Sequence, residues 1–398
     1  MNTRVETATK DANGWELTLR EKIPGSAHRF YREVRSSDRI DRDRADGQTF
    51  DAVLVATGHY NAPRIPHVDG LASWSKRWSG TILHSKGYRK PEDYTGKHVL
   101  VIGAGTSGVD IANDLSAHVG RLVISSKIDT GAPVGYQTFR NTQRKRGPSS
   151  AVQVSEVKSF QPLSDGASAR DGKIELVDGT ILTDIDTIIF CTGYQYSFPF
   201  LPHLHQTPRQ VPGPDSLVIE GDYVSNLYRD VFFIPDPTLA FVGISVNTSA
   251  FSFFEYQSIS VARVFSGKAR LPNQVSQRNS LDQLVKRKGP GKFRHFMGQK
   301  GERQYVRETV AWINQEAAEL SAPTIEGHSA EWLWHSDQAV RKAAVRLGLD
   351  LATFDPSVFG DLSGDKDNII DDRESPSSID HYEGSSRARI HYSRGVLA

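Results

Sequence analysis

Six residues, Gly103-Ala104-Gly105-Thr106-Ser107-Gly108, follow directly on the apolar run His98-Val99-Leu100-Val101-Ile102. Three glycines at that spacing, between a β-branched strand and the start of a helix, form the fingerprint that cradles a dinucleotide pyrophosphate. Gly103 permits the tight turn and Gly105 lets the backbone approach the phosphates. Gly108 allows the helix to pack close to the strand. N–H groups at a helix start lack partners within the helix and can meet an anion. The cofactor-binding set is therefore Gly103 to Gly108, extended into the first turn by Val109 and Asp110. The alternative, an incidental glycine turn, does not require a strand before it and a helix after it.

NAD and NADP are distinguished at the end of the second strand of such a unit, where an NAD site places an acid on the ribose 2′-hydroxyl. Here that strand ends Ser125-Ser126-Lys127, with Asp129 two residues further on. Hydroxyls and a cation suit a 2′-phosphate, which points to NADP through Ser125 and Lys127. A plain surface lysine is the other reading of Lys127.

Two more apolar runs end in glycine turns: Phe50-Asp51-Ala52-Val53-Leu54-Val55-Ala56-Thr57-Gly58 and Asp186 to Phe190 followed by Cys191-Thr192-Gly193. A glycine backbone can lie close to a flat cofactor, so Thr57, Gly58, Thr192 and Gly193 join the candidates. Either turn alone could be an ordinary strand end. His84 with Ser85, read alone, suits a hydrogen-bonded structural histidine as well as a ligand contact. The densest basic run, Arg144-Lys145-Arg146, has no interleaved aromatics to act as stacking platforms and reads as a solvated loop.

These residues need strands and helices to position them. Arg4 to Ala8 and Trp15 to Leu19 read as two strands around Asp11-Ala12-Asn13-Gly14, with Asn-Gly as the hairpin signal. Arg35 to Asp46 is charged and reads as a loop. Lys97 to Ile102, a helix from Ser107 to Ala117, and Arg121 to Ser125 make a βαβ unit. Lys173 to Val177 and Thr180 to Leu182 flank Asp178-Gly179 as a second hairpin. Leu239 to Ile244 is a strand, and helices are expected over Phe254 to Phe265, Arg303 to Leu320 and Ala330 to Leu347. The polar composition from Asp361 onward predicts disorder.

Composition narrows the function classes. The 398 residues carry a formal net charge of +1, without the basic excess of a dedicated nucleic-acid binder. A single cysteine, Cys191, excludes an intrachain disulfide and a cysteine metal cluster, and no metal site is expected. It also suits a reducing, cytoplasmic compartment. No apolar run approaches the roughly 20 residues needed to span a bilayer, so a soluble protein without a transmembrane segment is expected.

With the glycine fingerprint downstream, Trp78-Ser79-Gly80-Thr81-Ile82-Leu83-His84-Ser85-Lys86-Gly87-Tyr88 resembles the FxGxxxHxxx(Y/F) signature of flavin-containing monooxygenases, with Trp78 in the place of Phe. Tyr88-Arg89 resembles the N/S-oxygenating branch, where Baeyer–Villiger relatives carry Trp with Pro or Asp. Val55-Ala56-Thr57-Gly58-His59-Tyr60-Asn61-Ala62-Pro63 is similar to the family's ATGHYxxP element. Phe190-Cys191-Thr192-Gly193-Tyr194 is similar to its FATGY element, with Cys191 at the alanine position. Pro237 to Gly243, with Glu255 and Gln257, resembles the returning flavin-domain strand and helix; this would put Gln257 near the flavin, with a plain surface glutamine as the alternative.

The resemblance implies an α/β protein with two dinucleotide-binding Rossmann-like domains, the NADP domain inserted into an FAD domain that is incomplete here. Its parts would be 1–68 (first FAD part), 69–94 (signature linker), 95–190 (NADP domain), 191–350 (second FAD part and helical region) and 361–398 (tail). It implies FAD and NADP as cofactors, with small-molecule substrate and O2 as partners. The reaction would be oxygen transfer through a flavin hydroperoxide to an amine nitrogen or a sulfide. The family opens with its own strand–GxGxxG–helix unit for FAD and an active-site asparagine. Neither precedes Gly103, so amino-terminal truncation is expected and no catalytic residue is assigned. A truncated NADP-binding fragment or pseudoenzyme, and a siderophore-type N-hydroxylase, are the competing readings.

Overall fold

The computed structural model describes residues 3–22, 31–35, 49–127, 131–164, 166–206 and 213–346. Residues 36–46 of the charged stretch, Asp129, the final residue Leu347 of the last expected helix, and the tail from Asp361 lie outside them. The helices are α1 (Leu71–Arg77), α2 (Thr106–Leu115), α3 (Val134–Lys145), α4 (Ala250–Phe265), α5 (Gln274–Lys288), α6 (Gly298–Leu320) and α7 (Ala330–Arg346).

The centre is a parallel sheet of five strands in the spatial order Ile82–His84, Thr187–Phe190, His98–Ile102, Arg121–Ser125, Val152–Val154. Alternate residues of its strands fill two separate cores, as a period of two requires. Leu100, Ile102, Val123, Ile188 and Phe190 pack on one face with Trp74 of α1 and Phe160. Val99, Val101, Leu122, Ile124 and Ile189 pack on the other with Ile111, Ala112 and Leu115 of α2. Burial on both faces explains why these strands read as unbroken apolar runs. Behind the first face lies a small antiparallel sheet of Val157–Phe160, Ile174–Leu176 and Ile181–Leu182. The expected second hairpin is its last pair, Ile174–Leu176 with Ile181–Leu182.

A second sheet has the order Leu227–Tyr228, Phe232–Phe233, Leu239–Phe241, Val53–Val55, and only its last two strands pair in parallel. Those two strands lie on either side of the five-stranded unit in sequence, so the unit is an insertion into the domain they build. The expected strand over Phe50–Gly58 is confined to Val53–Val55, and Leu54 is 44% exposed. It occupies the sheet edge, where only one face and one neighbour are available.

The amino-terminal hairpin pairs Thr3–Asp11 with Gly14–Lys22, and Tyr31–Arg35 adds a third strand. Asp11 faces Gly14, so the two-residue connection is Ala12-Asn13 and not Asn-Gly. Only Gly14 there has positive φ, 126°, and the Asn13 N–H instead donates to Asp11 Oδ1. Trp15 anchors this sheet to the second one: its indole N–H donates to Thr238 Oγ1 at 2.9 Å, and its main chain pairs with Phe50.

The basic run corrects the loop expectation. Arg144 and Lys145 form the last turn of α3, with Arg146 as its C-cap, where cations complement the carbonyl end of the helix. Helices α1, α3 and α5 lie outside the sequence expectation; α5 carries little apolar stripe, with only Gln277 and Lys288 buried. The four expected helices form: α2 and α7 lie within two residues of their expected bounds, while α4 and α6 begin four and five residues earlier, at Ala250 and Gly298.

Candidate functional site

Strand register brings the sequence candidates to one edge. His84, Phe190, Ile102 and Ser125 lie side by side across four neighbouring strands. The residues that follow each of them, Ser85, Cys191, Gly103 and Ser126, therefore emerge together at the carboxyl end of the sheet. In open parallel sheets this end, beside the point where strand order reverses, is where ligands bind.

Gly103 has φ of 108°, and a Cβ there would stand 2.4 Å from the Cys191 carbonyl oxygen. A Cβ on Gly108 would stand 1.9 Å from the Gly103 carbonyl oxygen. Both contacts are with backbone, so only glycine fits, and the start of α2 presses against the turn. Gly105 is the N-cap of α2 with no side-chain cap, and Thr106 and Ser107 are exposed beside it. Ala104 and Val109 are buried, and Asp110 faces Arg146 at 3.5 Å. An anion at this open helix start would meet free N–H groups and the positive end of the helix dipole.

Sequence reasoning missed one cation. Arg140 of α3 reaches back over the loop, its Nη1 3.2 Å from where a Cβ on Gly105 would sit, and its buried Nε has no partner. No local pattern marks it, because the loop it covers lies 35 positions earlier in the chain. Lys127 is exposed at the same edge, with its carbonyl bonded by Arg144. Ser125 is buried, and its hydroxyl donates to the Ser155 carbonyl at 2.8 Å while its own carbonyl accepts the Gly103 N–H. It holds the loop from within.

The signature residues join the two sheets. His84 Nε2 meets the Gly193 carbonyl at 2.9 Å and Nδ1 accepts the Lys86 N–H, so both ring nitrogens are held by backbone. Ser85 lies beside the ring, with Oγ 3.5 Å from His84 Nδ1. Tyr88 donates to Asp114 on α2 and stacks on Tyr94. Because Asp114 is exposed, losing that hydroxyl costs little, which fits a position that takes Tyr or Phe. Trp78 packs edge-on against Trp74, 5.0 Å between ring centres, so aromatic bulk is what the position needs.

The glycine turns that follow Val53–Val55 and Thr187–Phe190 open onto space. A Cβ on Gly58 or Gly193 would meet nothing within 4 Å. Thr57 Oγ1 turns to the Gly58 carbonyl and Thr192 Oγ1 to the Arg64 carbonyl. His59 Nδ1 bonds the Gly243 carbonyl at 2.7 Å, while its buried Nε2 has no partner. Gln257 is fully buried, with Oε1 accepting the Gly243 N–H at 3.0 Å; it is no surface residue and fastens the third turn from beneath. A line of rings, His84, Tyr194, Tyr60, His59, Tyr196 and His295, runs between the turns at centre distances of 4.3 to 5.5 Å. Burial pushes the Cys191 thiol up to about 12, which makes it a packing group and no nucleophile.

The family model described as flavin-binding monooxygenase-like matches residues 29–135 and 170–323, more than half of the chain. The chain belongs to that family. Among curated members, a flavin-containing monooxygenase of Aspergillus flavus, ustF2, is 34% identical over 352 residues, covering 85% of this chain and 66% of its own length. The flavin-containing monooxygenase iboF of Amanita muscaria is 33% identical, covering 80% and 60%. The chain thus spans about two thirds or less of these flavin monooxygenase relatives. An S-allyl-L-cysteine S-oxygenase from Allium sativum superposes with a TM-score of 0.56 at 26% identity, over 86% of this chain and 66% of that one. Tmm from Pelagibacter shares the fold at a TM-score of 0.54 and 20% identity. The α/β architecture is that of the flavin monooxygenase family, whose members are flavoproteins. Among the described residues no helix is long and apolar enough to cross a membrane.

Proposed function

We propose that the chain binds NADPH at the Gly103–Gly108 loop and contributes part of the flavin site of a monooxygenase that oxygenates an amine nitrogen or a sulfide. The observation that carries this reading is the pair of backbone contacts at Gly103 and Gly108, which leave the start of α2 open at the carboxyl edge of the sheet. The similarity to an S-allyl-L-cysteine S-oxygenase from Allium sativum favours sulfur among the soft nucleophiles. When bound, NADPH and FAD supply the electrons and activate O2 for transfer of one oxygen atom.

The chain's own residues hold and shape. Free N–H groups at Gly105 to Ser107 and the Arg140 guanidinium would face the pyrophosphate, and Lys127 the 2′-phosphate. Gly58 and Gly193 leave room for a flat ring beside them. His84 and Gln257 keep the turns in place, so that bound groups exclude water from the reacting atoms. No acid–base pair is needed, because the cofactors carry the chemistry. Expectation of a monooxygenase fits a site built of backbone and rings.

The test is a titration of the purified chain with NADPH and NADH, with its visible spectrum recorded before and after adding FAD. NADPH is expected to bind more tightly than NADH, and added FAD to be retained on gel filtration. Chain that binds NADPH but retains no flavin would reduce the reading to an NADP-binding fragment; chain that binds neither overturns it. Lys127→Ala is expected to erase most of the NADPH preference and leave NADH affinity unchanged. Arg140→Ala should weaken both nucleotides. A charge-assisted hydrogen bond contributes roughly 1.5–3 kcal/mol, so each loss should be about tenfold to a hundredfold. An Arg140→Ala variant with unaltered affinity would remove that residue from the site.

A further inference from the structure

Helices α5 and α6 and the turn Tyr228-Arg229-Asp230-Val231 enclose a cavity of about 230 Å³. It shares no lining residue with the glycine loop or with the Gly58 and Gly193 turns. Leu227, Leu281, Leu284 and Met297 give it apolar walls.

The turn that supplies Arg229 and Asp230 is held against its own backbone preference. The Val231 N–H closes it on the Tyr228 carbonyl at 3.0 Å, with φ of 56° at Arg229 and 57° at Asp230. Turns with both central residues at positive φ ordinarily carry Asn or Gly, and bulkier side chains there are strained. Such strain persists only where the surroundings over-determine it, and it concentrates at functional sites. Here both side chains are fixed. Asp230 is held by His295 and Ser245. Arg229 donates to the Thr309 hydroxyl at 2.6 Å, and its guanidinium lies 4.5 Å from the centre of the Tyr305 ring.

Charge in the wall is one-sided. Arg229, Arg287, Lys288 and Lys300 line the cavity, against the two carboxylates of Asp230 and Glu308. Asp230 is already engaged, and Glu308 Oε1 accepts from Gln304 at 2.9 Å. Lys288 is 9% exposed, and its ammonium donates to the Phe296 carbonyl at 2.8 Å. Arg287 is exposed on the last turn of α5. Cations gathered around a pocket with apolar walls focus their field and draw in an anion.

We propose that this cavity binds a small monocarboxylate with an apolar tail, its carboxylate paired with Arg287 and Lys300 and its tail lying against Leu281, Leu284 and Met297. A guanidinium offers a carboxylate two parallel N–H donors, and such charge-assisted bonds are about twice as strong as neutral ones. Arg229 and Lys288, already bonded to protein, contribute field rather than contacts. The volume falls below that of a pocket for a drug-sized ligand, which favours a compact acid. An amine would meet the same cations and be repelled. The site stands whether or not the chain binds a dinucleotide.

The experiment is calorimetric titration of the full chain with phenylpropionate, phenylpropanol and phenylpropylamine. The acid is expected to bind at least about tenfold more tightly than the alcohol, and the amine not to bind. Arg287→Gln keeps an exposed polar side chain on α5 and should remove most of the acid's advantage. Gly301→Leu is a steric test that leaves every cation in place. A Cβ at Gly301 meets only the Met297 Cβ, at 4.0 Å, so the larger side chain can enter the cavity from α6. It should cost acid and alcohol alike about tenfold. The proposal is overturned if the acid binds no better than the alcohol, or if either folded variant keeps the acid's affinity within about twofold. NADPH binding in the same samples reports on the glycine loop, so failure of one site is distinguishable from failure of the other.

Discussion

Gly108→Ala is expected to abolish measurable NADPH binding, a loss of at least about a hundredfold or 2.8 kcal/mol. The added methyl would lie 1.9 Å from the Gly103 carbonyl oxygen and 3.2 Å from the Cys191 Cβ. The first of these is backbone in the turn itself and cannot rotate away. Helix α2 must therefore move off the sheet, carrying with it the N–H groups of Gly105, Thr106 and Ser107. Overpacking of this kind costs roughly 1–3 kcal/mol of stability, so the fold should survive with a lowered unfolding midpoint. Fluorescence titration with NADPH and a thermal melt on the same protein separate the two effects. Binding within about twofold of the parent would mean that the phosphates do not sit at this helix start.

Asp230→Ala should be the most destabilising substitution far from the glycine loop. Asp230 and His295 are both fully buried, with His295 Nδ1 3.0 Å from Oδ1 and the Ser245 hydroxyl 2.9 Å from Oδ2. The Val224 N–H meets His295 Nε2 at 3.1 Å, which leaves Nδ1–H to donate to the aspartate. Truncation orphans both donors inside the protein. Each buried donor left without a partner costs roughly 1–3 kcal/mol, measurable as a shift of the urea midpoint at neutral pH. A loss below about 1 kcal/mol would show that the network can rearrange. Burial raises the Asp230 carboxyl pKa, but His295, Lys288 and Ser245 outweigh it and hold it below the ordinary value. For a depressed carboxyl, the stabilisation is present above the unfolded pKa of about 3.9. It is lost as the pH falls through the lower folded value. Asp230→Asn should lack this acid-dependent component, a difference that unfolding curves from neutral pH downward would reveal.

The strand, three glycines and helix around Gly103–Gly108 were legible because their pattern is carried by backbone within a dozen consecutive residues. The amino-terminal hairpin and helices α4, α6 and α7 were legible for a similar reason, since turn residues and apolar spacing act locally. Helix α3 was not, because its charged last turn looks like solvated loop until Tyr136 and Phe139 find Phe296 across the structure. Arg140 above Gly105, Glu302 beneath Ser249 and Asp230 against His295 join residues 35, 53 and 65 positions apart. No periodicity links such pairs; only the packing of one sheet on its helices decides which side chains meet. The same holds for His84 and Gln257. Sequence placed both near the cofactors, and the fold turned their polar atoms to the Gly193 and Gly243 turns. By itself the sequence determined the strand, glycine turn and helix start on which the proposed phosphate contact rests, because these need only local residues. Tertiary structure decided which groups surround it, because charges and orphaned acceptors acquire their roles only when distant segments bury them together.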